Sequence, residues 1–130
     1  MTALWIFLGG GTGSVARWLL SGWVPIGFGP TFPWGTLLVN VTGSMTIGVF
    51  ATLTGAEGRW LAPENFRQFF MLGVCGGYTT FSSFSLQTLS LVEGGHWLKA
   101  GANILLSVAL CLAAVWIGHL LALQINSGKG

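Results

Sequence analysis

The 130-residue sequence contains no aspartate, one tyrosine and two histidines, and its formal charge rests on five basic and three acidic residues. So thin a supply of charge excludes whole classes of function. The net +2 is scattered over Arg17, Arg59, Arg67, Lys99 and Lys129 against Glu57, Glu64 and Glu93, with no basic patch that could track a nucleic acid. Only two cysteines are present, Cys75 and Cys111, and both fall inside apolar runs, which argues against a disulfide framework or a structural zinc site. His96 and His119 lack companion ligands at metal spacing, and neither stands beside a Ser or Cys with an acid to orient it. No catalytic set can be assembled, so no enzyme is expected.

What the chain has in quantity is apolar surface. Hydrophobic residues make up 52% of it against 6% charged, and the mean hydropathy is +0.74, which marks an integral membrane protein. A spanning helix needs about 20 apolar residues, so this length holds about four spans and no soluble domain beside them. The spans are expected at about 3–23, 34–53, 66–92 and 97–123, forming one all-α domain over 1–130. Gly9, Gly10, Gly11 and Gly13 in the first let a neighbouring backbone approach. No Gly-Lys-Ser/Thr follows them, which excludes a phosphate loop, and the segment lacks the basic start and Ala-x-Ala exit of a cleaved signal.

The third span reads badly as a continuous helix. Gly76 and Gly77 each disfavour the helical state by about 1 kcal/mol relative to Ala, and the eight residues after them are all β-branched, hydroxylated or aromatic. A break is expected near 76–80, at mid-membrane. Unwound backbone survives in hydrocarbon only where protein buries it or where it lines a watery cavity, so the break marks a candidate ion or substrate site.

Two polar stripes flank it. Thr36, Asn40 and Ser44 recur at i, i+4 and i+8 in the second span, and Asn103, Ser107 and Cys111 do the same in the fourth. A carboxamide at the depth of Asn40 either ties helices together or offers its N–H donors to a ligand. Arg17 stands about one and a half turns before the end of the first span, where it either snorkels to the headgroups or lines a vestibule that attracts anions. The uncharged run from Val24 to Pro33 should form a tight irregular loop, and Thr54 to Asn65 an aqueous one. Glu93 to His96 should make a short turn. Four spans would place Arg59, Arg67 and Lys129 on one side and Arg17 and Lys99 on the other, a bias too weak to fix orientation. Insertion both ways round would permit an antiparallel two-fold dimer.

The runs GGGTGSVARWL at 9–19, GTLLVN at 35–40 and CGGYTTFSSFS at 75–85 resemble those of the bacterial fluoride channel family known as Fluc or CrcB, over nearly the whole chain. The resemblance implies an antiparallel, dual-topology homodimer, multi-pass in the bacterial inner membrane, with two fluoride pores and a structural sodium ion at its centre. It matches Phe81 and Phe84 to the pore phenylalanines, Asn40 to the pore asparagine, Gly76 and Thr79 to the carbonyl donors for sodium, and Arg17 to the basic vestibule residue. Ser83, Asn103 and Ser107 fall at or near its polar track, and Thr36, on the stripe of Asn40, completes the candidate pore residues. Gln87 stands where many members have Glu, and Cys111 where Ser is frequent.

Fluoride is small and strongly hydrated, so a selective path must replace its water with closely placed donors. An Asn N–H, Thr and Ser hydroxyls and the electropositive edges of two Phe rings can do this. The competing class is a small dual-topology, proton-coupled multidrug transporter. That class wants a carboxylate embedded in the first helix, where this chain has Arg17.

Overall fold

The computed structural model describes residues 1–24 and 31–128. Most of the loop expected from Val24 to Pro33 lies outside the described residues, as does Lys129. The described part is all helical. Helix α1 spans Thr2–Trp23, α2 Trp34–Leu53, α4 Phe81–Glu93 and α5 Trp97–Ser127. Between α2 and α4, helix α3 covers residues 64–78 in three continuous stretches, Glu64–Gln68, a π-helical Phe69–Cys75 and Gly76–Tyr78. The π winding shows where the Gly76 N–H reaches back five residues to the Met71 carbonyl.

Two of these helices, α2 and α5, are long and apolar enough to cross a bilayer by length and composition. At 1.5 Å per residue, the 20 residues of α2 reach about 30 Å, the thickness of a hydrocarbon core, and α5 with 31 is longer still. Surface and interior agree with that setting. Phe7 is 74% exposed, Trp18 73% and Leu105 72%, while Thr36, Thr54, Asn103 and Ser107 are buried. Apolar side chains outside and polar ones inside suit lipid, not water.

Helices pair through glycine. A Cβ at Gly48 would strike the Val115 carbonyl, and one at Gly118 the Met45 carbonyl, so α2 and α5 meet backbone to backbone. The same holds for α1 and α3. A Cβ on Gly9 would meet Phe69 and Gly73, one on Gly13 would meet Val74 and Tyr78, and one on Gly77 would meet the Gly10 carbonyl. Gly10 and Gly11 face open space within the chain and take no part in this seam with their own Cβ positions.

The turn between α4 and α5 closes by a Schellman motif: Gly95 sits at φ 78°, its N–H donates to Val92, and the His96 N–H donates to Leu91 at 2.8 Å. At the opposite edge, Arg67 Nη1 donates to the Thr54 carbonyl and hydroxyl at the end of α2. Arg59 Nη1 reaches the Ile125 carbonyl in the last turn of α5 at 3.3 Å. Both cations thus sit where a helix end exposes carbonyls and partial negative charge.

The interruption expected near 76–80 is present, and it occupies the last two residues of that window. Gly76 and Gly77 are helical, and the chain leaves the helix at Thr79 (φ −82°, ψ 158°) and Thr80 (φ −152°, ψ 113°). Gly77 serves close approach to α1 instead of breaking α3, and its lower helix propensity is outweighed by that packing.

Candidate functional site at the interrupted helix

Two residues leave the helix, and their polar groups are met by α2. Asn40 Nδ2 donates to the Thr80 carbonyl at 3.1 Å, and the Thr80 N–H donates to Asn40 Oδ1 at 2.8 Å. One carboxamide therefore replaces both helical bonds of Thr80. A primary amide has two N–H groups, so Asn40 keeps a second donor after this clamp. The tie and the ligand readings of Asn40 are compatible.

Carbonyls at the end of α3 divide into two kinds. Cys75 keeps a donor, since the Thr79 N–H and hydroxyl both reach it at 3.0 Å. Gly77 receives Arg17 Nε at 3.1 Å and the Ser14 hydroxyl at 3.4 Å. Gly76 is different, because the N–H four residues on, that of Thr80, is given to Asn40. Its carbonyl loses its helical donor. A Cβ at Gly76 would find only the Met71 carbonyl, at 3.8 Å, so the backbone there is open to approach.

On the other side of the break, the Thr80 hydroxyl caps α4 by accepting the Ser83 N–H at 3.2 Å. The remaining first-turn N–H groups of α4 begin at Phe81. Phe81 and Phe84 lie with ring centroids 5.3 Å apart at 48°. Phe81 is 78% exposed although it stands at the centre of the chain's most polar helix junction.

A cavity of about 420 Å³ opens against these groups. It is lined by Asn40, Gly76, Thr79, Phe81, Phe84 and Ser107 among the candidates of the sequence, together with Ser44, Thr80, Cys75 and Cys111. Thr36, Ser83, Asn103 and Arg17 do not line it. Thr36 is buried in α2, Ser83 turns to Thr80, and Arg17 is spent on Gly77. Asn103 is 1% exposed and belongs to a relay in which the Ser107 hydroxyl donates to Asn103 Oδ1 at 3.4 Å and Asn103 Nδ2 donates to Thr88 at 2.9 Å. The Thr88 hydroxyl in turn donates to the Phe84 carbonyl at 2.8 Å. Gln87 Oε1 is buried with no partner among the described residues.

Sequence reading missed Thr80, Thr88, Ser14 and the bond between Tyr78 and Thr42. Thr80 carried a readable signal, a hydroxyl directly before an apolar helical run. The others are contacts between distant residues and have no local mark.

Helices that bury polar side chains, expose apolar ones and surround an interrupted helix define a membrane protein with a largely apolar cavity, dotted with a few polar groups, at the break. The residues 4–119 match the family model described as CrcB-like protein, Camphor Resistance (CrcB), and the chain belongs to that family. It is 57% identical over 128 residues to a fluoride-specific ion channel FluC of Rhodospirillum rubrum, covering 98% of this chain and 99% of that protein. It is 55% identical over 130 residues to the protein of the same name from Methylocella silvestris, covering 100% and 99%. The one from Opitutus terrae is 59% identical over 127 residues, covering 98% and 96%.

Proposed function

We propose that two copies of this chain assemble antiparallel in the inner membrane, each as four spans, to form a fluoride-selective channel with two pores. Membership of a family whose named members are fluoride-specific ion channels supports the activity, and the chain is accordingly no enzyme. The observation that carries the reading is the division of labour at the break. Gly76 and Thr79, at the end of α3, and Asn40, Phe81 and Phe84, at the start of α4 and beside it, all line one cavity, the first pair able to offer backbone carbonyls and the others N–H and ring-edge donors.

Two ions of opposite sign fit that division. Carbonyl oxygens at a helix C-terminal end are hard donors carrying partial negative charge, which suits a hard cation. Gly76, stripped of its helical donor and open to approach, and Thr79, turned out of the helix, would hold a sodium ion. Bound there, sodium would supply a fixed charge joining the two broken helices. The start of α4 carries the opposite partial charge and unspent N–H groups, so an anion is favoured beside Phe81. Asn40 orients the anion with its second N–H, and the weak donors of the Phe edges hold it loosely enough to leave. Ser107, bound to Asn103 only at 3.4 Å, can turn its O–H donor from Asn103 to a passing anion at little cost. A Phe81 face left 78% exposed gains a covering in the dimer.

Purified protein in liposomes loaded with fluoride tests this. Fast, uncoupled release of fluoride with chloride retained is expected. Release that requires a proton gradient, or equal release of both halides, overturns it.

A further inference from the structure

The phenol of Tyr78, the only tyrosine in the chain, stands at the last helical residue before the break and meets Thr42 Oγ1 at 2.7 Å. Thr42 has one hydroxyl proton, and its oxygen lies 2.8 Å from the Leu38 carbonyl and 3.1 Å from that of Val39, groups that can only accept. Tyr78 is therefore the donor of the pair. Between the two anchors lies Gly43, where a Cβ would collide with the Thr79 methyl and come within 3.1 Å of Tyr78 Cδ1. The ring thus lies against the backbone of α2. Three consecutive residues at the break are each met by one residue of α2: Tyr78 by Thr42, Thr79 by Gly43, and Thr80 by Asn40.

We infer that Tyr78 and Thr42 are a positioning pair that fixes the peptide geometry of Thr79, and with it the direction of the Thr79 carbonyl. Among the described residues Thr79 has no hydrogen bond to α2; its N–H and hydroxyl bind back to Cys75, and its place against α2 is set by Tyr78 before it and Thr80 after it. With both anchors in place, its torsions are set from each end. With Tyr78 released, Asn40 is the one remaining side-chain hydrogen-bond anchor between α2 and the break among the described residues, and the Thr79 peptide, tied otherwise only back to Cys75, is freer to turn its carbonyl. Neither residue touches the anion, so both act through the backbone. For conduction and sodium dependence the inference rests on the fluoride-channel reading; for backbone order it does not.

The test is a double-mutant cycle with Tyr78→Phe, Thr42→Val and the two combined, with Thr42→Ser as the conservative variant. Each single change is expected to cut fluoride flux in liposomes about tenfold and to raise the sodium concentration needed for half of maximal flux. The double variant should be no worse than either single one, and Thr42→Ser should keep wild-type behaviour. Hydrogen exchange supplies a readout apart from flux: the Thr79 and Thr80 amides should exchange faster in Tyr78→Phe, with α1 and α5 unchanged. Additive losses in the cycle, or wild-type exchange at Thr80 in Tyr78→Phe, overturn the inference. Should the wild-type protein carry no fluoride, the channel reading fails by itself, and the exchange measurement alone decides on the pair.

Discussion

At Asn40 one side chain performs two tasks that are usually separate. It gives Thr80 both a donor and an acceptor at the break, and it lines the cavity, where in the proposed channel its second N–H would serve the anion. Aspartate has the same shape but no donor. Asn40→Asp would leave the Thr80 carbonyl without its N–H and set a negative charge beside the anion path. Together these should add about 3 kcal/mol to the barrier, roughly a hundredfold loss of fluoride flux. The dimer should still elute as a folded species from a sizing column. Wild-type flux from a folded Asn40→Asp protein would return Asn40 to a purely structural role.

Helix pairing shows how small side chains differ in purpose although they look alike in sequence. Gly13 meets the Val74 carbonyl and the Tyr78 backbone where its Cβ would be, whereas Gly11, two residues earlier, faces nothing within the chain. Gly13→Ala should therefore destabilise the protein by about 1–3 kcal/mol through overpacking. Gly11→Ala should be neutral or stabilising by up to about 1 kcal/mol, since alanine favours the helix. Thermal unfolding in detergent checks both, and equal effects would refute the seam. The run of glycines in α1 announced close packing but not which members make it, because the facing residues lie some sixty positions along the chain. For the same reason the window of the break was legible and the two residues that make it were not. Propensity pointed at Gly76 and Gly77, while the decision was made by Asn40, which offers Thr80 a better partner than the next turn of helix. Thr36 and Arg17 stood out as polar residues in apolar spans, yet nothing local revealed that Arg17 is committed to a carbonyl.

The proposed assembly depends on both orientations being present in one membrane, and here the scarcity of charge matters. Adding lysines at exposed positions of the loop between α2 and α3, as in Ala56→Lys, Glu57→Lys and Leu61→Lys together, should commit every copy to one orientation. Flux from that variant alone should fall to background, and co-expression with an oppositely biased copy should restore it. A single-orientation population that conducts at the wild-type rate would exclude the antiparallel dimer. Reporter fusions to the C-terminus read the orientation independently.

Arg17, Arg59 and Arg67 each end on a carbonyl at the close of a helix. A cation so placed is partly neutralised by the helix end it caps, and its field does not project far into the bulk. In the proposed channel these three arginines would then add little to the long-range capture of anions, and arrival would be left mainly to diffusion and to short-range donors. Raising inert salt from about 0.1 M to 1 M shortens the screening length from about 10 Å to 3 Å. Flux through this protein, measured at constant fluoride, should change by less than about twofold across that range, where an electrostatic funnel would lose most of its rate.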